Sequence, residues 1–245
     1  MGVDIWVLYT RLTQRVGSQV YKILVLICYL GVSDITSIQA NETMIESHQR
    51  FFAAASSNDA VNVLKILDQG IDIEVRNQDG ATALLIATHN NAVAAARILI
   101  DAGADVNAMN HIQDSPYLYA GAEGKLEILK MTLEHGADLS SINRYGGTAL
   151  IPAAHHGHVD TVRELLATAI DIDHVNNLGW TALIEAVILG DGKTRYIEIV
   201  GLLLAAGASP AIADREGVSP LDHAIASGYK EIADLLRTAE SGNQQ

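Results

Sequence analysis

The chain has 245 residues, room for one or two domains. Sixteen Lys and Arg face 29 Asp and Glu, a net charge of −13; phosphate binding needs clustered cations, so nucleic acid and anionic membrane surfaces are excluded as natural partners. A single cysteine, Cys28, excludes a disulfide framework or a thiolate metal site within one chain, while two Phe and two Trp among abundant Ala, Leu and Ile suit thin helices packed in layers.

Residues 1–40 stand apart from the rest. Arg11, Arg15 and Lys22 precede an uncharged apolar run from Ile23 to Ser33. That run rises only about 16 Å as a helix, half a bilayer core, so it is too short to span. Basic residues, a short apolar stretch and then a cut after a small residue form the pattern of a cleaved secretory leader. The cut falls after Ala40, with Ile38 at the minus-three position. The leader is long through its first nineteen residues, which points to translation starting at Val20 if its codon is GTG. Cys28 follows the bulky Ile27, which disfavours a lipid anchor there. The mature chain then has no cysteine, needs no oxidation to fold, and has no stable membrane span. The expected location is periplasmic or secreted; anchoring through an uncleaved leader is the alternative.

From residue 41 a phrase recurs. Asp79-Gly-Ala-Thr-Ala-Leu is echoed as Gln113-Asp-Ser-Pro-Tyr-Leu, Gly146-Gly-Thr-Ala-Leu, Gly179-Trp-Thr-Ala-Leu and Gly217-Val-Ser-Pro-Leu. Its hydroxyl residues are Thr82, Ser115, Thr148, Thr181 and Ser219, three steps of 33 residues and one of 38. Each unit opens with a turn, then the hydroxyl residue, then two apolar-periodic stretches. Thr82 stands where a helix N-cap accepts a free backbone N–H from Ala83-Leu-Leu-Ile-Ala87. A second helix follows, roughly Ala92 to Ala102, and Gly103 ends it in the left-handed conformation.

This unit resembles the ankyrin repeat. The resemblance rests on Gly103-Ala-Asp-Val-Asn-Ala108, Gly136-Ala-Asp138, Gly157-His-Val-Asp160 and Gly217-Val-Ser-Pro-Leu-Asp-His-Ala224, and covers residues 45–238. It implies an all-α repeat solenoid of helix-turn-helix units with β-hairpin-like turns. Six units are expected at about 45–76, 77–109, 110–142, 143–175, 176–213 and 214–238 within a domain 41–240, with a disordered tail at 241–245. The family's usual His after the Pro-Leu pair is absent; Leu85, Leu118, Ile151, Ile184 and Asp222 stand there. With its leader and the run Gly179–Val187, the chain also resembles exported bacterial ankyrin proteins.

Two breaks in the pattern stand out. Ala169 replaces the glycine of Gly70, Gly103, Gly136 and Gly207, so a left-handed turn there would be strained and Ala169→Gly would relieve it. Five extra residues fall between Gly190 and Glu198, which reads as a longer link between the two helices of unit five. Lys193, Arg195 and Tyr196 put two cations and an aromatic in it, a candidate partner contact. Its Gly-Lys-Thr lacks the upstream glycine of a phosphate loop.

Chemistry is harder to place. His155, His156 and His158 invite a metal, but successive helical residues diverge by about 100° and further ligands would have to come from His89 or Glu123. No nucleophile sits in a recognisable elbow, and Glu123, Asp160 and Glu164 read as solvated helix positions. No cofactor is expected. Nor does the repeat offer a segment to build a deep pocket around a perturbed carboxylate, the feature that would favour an enzyme.

The ankyrin resemblance implies a partner lying on the turn tips and first-helix ends. The tips give Gln78, Asp79, His111, Ile112, Asp114, Arg144, Tyr145, Asn177, Leu178, Trp180 and Arg215; the helix ends give His89, Glu123, His155 and His156. Tyr145, Leu178 and Trp180 are large side chains at turn positions, and aromatic and Arg residues dominate binding energy where they become buried. The expected function is a monomeric, non-catalytic module presenting a concave surface to a protein partner in an exported compartment. The alternatives are a metal-dependent or enzymatic protein on the same scaffold, or an accessory or inhibitory subunit of a neighbouring enzyme.

Overall fold

The computed structural model describes residues 42–242, so the expected leader and its expected cut after Ala40 lie outside the described residues. Contacts divide the chain into two compact units, residues 1–49 and 50–245. Of the first, the described residues 42–49 are helical; they belong to α1, residues 42–56. The second unit is the repeat stack.

Every later helix is short, and the helices come in pairs. The first pair ends with α2 (Ala60–Asp68). The others are α3 (Ala83–His89) with α4 (Val93–Asp101), α5 (Pro116–Ala122) with α6 (Leu126–Glu134), α7 (Leu150–His155) with α8 (Val159–Leu166), α9 (Ala182–Ile188) with α10 (Thr194–Ala205), and α11 (Pro220–Ala226) with α12 (Lys230–Gly242). First helices stack on first helices and second on second, giving two layers. No strand occurs among the described residues. Small buried residues, Ala83, Ala87, Ala95, Ala153 and Ala186, let the layers approach, and Leu99, Leu129, Leu165 and Leu203 fill between them.

The hydroxyl residues explain why each first helix starts where it does. The side chains of Thr82, Ser115, Thr181 and Ser219 accept the backbone N–H three residues on, at 3.1–3.3 Å. Thr148 does not: its buried Oγ1 has no partner, and α7 starts one residue late. The cause is Pro152. In the other four units the N–H at this position bonds the cap carbonyl, as Ile86 bonds Thr82 and Glu185 bonds Thr181, both at 3.0 Å. Proline has no N–H. The Thr148 carbonyl takes the Ile151 N–H instead, at 3.3 Å, and that is the donor its hydroxyl would have used.

The expected strain at Ala169 is absent. Gly103 and Gly136 turn with φ of 92° and 82°, but Ala169 is not among the positive-φ residues. Helix α8 stops a residue early, and the Thr168 hydroxyl, donating to Leu165 O at 2.6 Å and accepting from Ile170 N at 3.2 Å, builds a different turn.

The five extra residues of unit five also differ from expectation. Rather than only lengthening a link, they add a turn to the start of α10, which has 12 residues against nine in α4 and α6. Tyr196 is buried, and its hydroxyl donates to His155 O at 2.8 Å. It is therefore a core residue and not a partner contact. At the other end, α12 runs to Gly242, so residues 241 and 242 of the expected tail are helical. Among the described residues no helix is long and apolar enough to cross a membrane.

Candidate functional site

The turn tips are built by one side chain per unit. The Oδ1 of Asn77 accepts the backbone N–H groups of Asp79 and Ala81, both at 2.9 Å. Asn110, Asn143, Asn176 and Asp214 do the same at the successive tips. Such a ring fixes the tip without a strand ladder. The tips then join edge to edge: His111 N donates to Asp79 O at 3.0 Å and Asn177 N to Tyr145 O at 2.9 Å.

This geometry aims the third tip residue outward at a constant place. Ile112, Tyr145 and Leu178 fall there in consecutive units and are 53 %, 58 % and 51 % exposed. They make an apolar row with Asp79 before it and Glu216 after it in the register. The residues preceding Ile112, Leu178 and Glu216 lie along the row against the neighbouring tips. The side chains of His111, Asn177 and Arg215 lie over the glycines Gly80, Gly146 and Gly179, so close that a Cβ there would come within 2.7 Å of them. These three side chains thus help stack the tips.

Beside the row, between tips and first helices, runs a groove of about 480 Å³ across units three to five. It gathers seven of the sequence candidates: Asp114, Glu123, Arg144, Tyr145, His155, His156 and Leu178. A smaller hollow of about 260 Å³ gathers Asp79, His89, His111 and Ile112. Gln78, Asn177, Trp180, Lys193, Arg195, Tyr196 and Arg215 line neither. Trp180 is only half-buried, yet it lies outside the groove, its backbone N–H held by Asn176 Oδ1 at 3.0 Å. Lys193 pairs with Asp191 at 2.9 Å, and the Arg195 guanidinium lies 5.0 Å from the Tyr196 ring centre.

Charges in the groove are largely matched. Arg144 Nη1 pairs with Asp114 Oδ1 at 3.1 Å while its guanidinium lies 5.0 Å from the centre of the Tyr145 ring. His156 Nδ1 bonds Ala122 O at 2.7 Å, and its ring sits 4.6 Å from that of His155. The two rings, tilted by 45°, therefore lie together and do not diverge. Burial, with His156 beside it, pushes the His155 imidazole below its ordinary value. In the hollow, His89 packs on Tyr119 at 4.2 Å with its Nε2 buried and unpaired, and burial lowers its basicity too. Among the described residues no group of three or more His, Cys, Asp and Glu is placed to hold a metal ion.

Among the groove residues that the sequence reading missed are Asn176 and Glu185. Glu185 is 6 % exposed; Asn176 Nδ2 donates to its Oε1 at 2.8 Å, and His155 Nδ1 lies 3.6 Å from its Oε2. Burial pushes its carboxyl up to about 7, against the pull of the Asn176 bond. The expectation that the repeat could build no pocket around a perturbed carboxylate is thus overturned. The signal was in the register: Glu185 stands where other units carry Ile86, Tyr119, Pro152 and His223. Chemically, a carboxyl near neutrality beside an imidazole can exchange a proton, but no Ser, Thr, Cys or Lys is among the lining residues to act as nucleophile.

Comparison with known proteins agrees with this architecture. Residues 51–143 and 117–214 match the family model described as ankyrin repeats (3 copies). An ankyrin repeat domain from Acinetobacter baumannii AYE is 58 % identical, with a TM-score of 0.76 over 78 % of this chain and 97 % of that one. The ankyrin repeat protein EF0377 is 47 % identical, with a TM-score of 0.75 and the same coverage. The ankyrin repeat protein YahD of Escherichia coli K12 is 46 % identical over 54 residues, 22 % of this chain and 27 % of that protein's length.

Proposed function

From the premise that the chain belongs to the ankyrin-repeat family, whose repeats generally mediate protein–protein interaction, we propose that it is a non-catalytic binding module whose partner lies on the tip row and the adjoining groove. The observation that carries this reading is the row of Ile112, Tyr145 and Leu178, three large apolar side chains each more than half exposed at one position of consecutive units. Exposing such side chains in a line has a purpose only if something covers them. Tyr145 has the further character of a binding anchor, a rigid aromatic with Arg144 beside it. We extend the proposal to a monomer acting in an exported compartment, which the leader pattern of residues 1–40 supports.

The test is capture. A photo-crosslinking amino acid placed at position 145 in the source cells should trap a discrete protein, and the same group on the opposite surface, at Arg97, should not. Equal trapping at both positions would remove the tip row as the binding face.

A further inference from the structure

Glu185 is the buried acid of the groove lining, and among the described residues no Lys or Arg pairs with it, whereas Asp114 pairs with Arg144 and the exposed Glu123 lies 4.0 Å from His156. Its Oε1 is bonded by Asn176 at 2.8 Å, but its Oε2 makes no hydrogen bond among the described residues; the ionisable nitrogen within 4 Å is His155 Nδ1 at 3.6 Å. His155 is a poor counter-ion, because burial and the neighbouring His156 favour its neutral form. Arg144, the permanent cation of the groove lining, is already committed to Asp114 at 3.1 Å. Unit six shows what a completed pair looks like. There the equivalent positions hold Asp214 and His223, with His223 Nε2 2.7 Å from Asp214 Oδ2. In unit five the tip residue is the neutral Asn176, so the acid lacks its cation.

Besides its polar members, the groove that Glu185 lines has the apolar Leu178, Leu189 and Ile151, with Tyr145. A groove with apolar side chains and a buried carboxylate in its lining fits a side chain with an alkyl stem and a cationic head. A neutral or acidic side chain would bury the carboxylate unpaired, which is costly. We propose that the groove contains a subsite for a Lys or Arg side chain of a bound peptide segment, with the Glu185 carboxylate as its counter-ion. This rests on the groove being part of the protein-binding face.

The experiment selects random dodecamer peptides displayed on phage against the full-length protein, in parallel with Glu185→Gln and Tyr145→Ala. Gln keeps the size of the side chain and an acceptor for Asn176. Peptides from the wild-type selection should carry Lys or Arg at one fixed position and bind Glu185→Gln about tenfold or more weaker. As a readout needing no variant, the 13C shift of the Glu185 carboxyl should titrate at lower pH when a selected peptide saturates the protein. Peptides that depend on Tyr145 but show no basic preference, or leave the Glu185 carboxyl unmoved, would overturn the subsite and leave the groove standing. Peptides indifferent to Tyr145→Ala would overturn both.

Discussion

Thr82 and Thr148 occupy the same position of the repeat, and one substitution should move stability in opposite directions at the two sites. Both side chains are buried. Thr82 Oγ1 accepts the Leu85 N–H at 3.3 Å, so Thr82→Val removes a helix cap and should cost about 1 kcal/mol. Thr148 Oγ1 is buried without a partner, so its hydroxyl is a desolvation cost with no return. Such a group costs about 1–3 kcal/mol, and Val replaces it at nearly the same shape. Thr148→Val should therefore stabilise by about 1 kcal/mol, raising the melting midpoint by roughly 2–4 °C in a domain of this size. The cause assigned to the orphaned hydroxyl is checked by Pro152→Ala, which supplies the missing N–H. In that background the Thr148 hydroxyl regains a donor, and Thr148→Val should turn destabilising, a coupling that a double-mutant cycle measures directly. Thermal melts of the four variants suffice. If Thr148→Val destabilises the wild-type background as Thr82→Val does, the hydroxyl is satisfied and the role given to Pro152 is wrong.

Other outcomes follow from the same contacts. The Glu185 carboxyl titrates near 7 in the folded protein against an ordinary 4.5, so the folded state holds a proton that the unfolded chain has lost between those values. Its contribution to stability is present below about pH 4.5 and is lost as pH rises through about 7. Relative to wild type, Glu185→Gln should gain on the order of 3 kcal/mol between pH 4.5 and 8; a constant difference across that range would refute the shift. Ala169→Gly should leave the melting midpoint unchanged or lower it, since φ there is not positive; a clear rise would restore the strained turn. Fractionation with mapping of the mature N-terminus should find the chain exported and starting after Ala40, and a cytoplasmic protein retaining residues 1–40 would contradict that.

The scaffold was legible because its causes are local and periodic. A hydroxyl before an apolar helix, and a glycine after one, act through the nearest few residues, so Thr82 and Gly103 could be read alone. Thr148 could not, because its cap fails through a donor missing four residues later. Ala169 shares the register of the turn glycines but not their conformation, because the Thr168 hydroxyl offers the chain another turn. The tip residues Asn77, Asn110, Asn143, Asn176 and Asp214 recur at the same interval as the hydroxyls, yet a polar residue before a turn is common enough to pass unnoticed. Glu185 was hidden for another reason. A Glu on a short helix reads as solvated, and its burial comes from Asn176 at the tip and from α7 of the preceding unit. Trp180 drew weight by its size, but Tyr145 and Leu178 are the exposed members of that region.

The central claim is that the tip row holds the partner, and the affinity of the captured protein for Tyr145→Ala/Leu178→Ala tests it most directly. Both side chains are more than half exposed, so the double variant should melt within a degree or two of wild type. By titration calorimetry its affinity should fall about thirtyfold or more, the loss expected when an anchor worth at least 2 kcal/mol is truncated. An unchanged affinity with the fold intact would contradict the account.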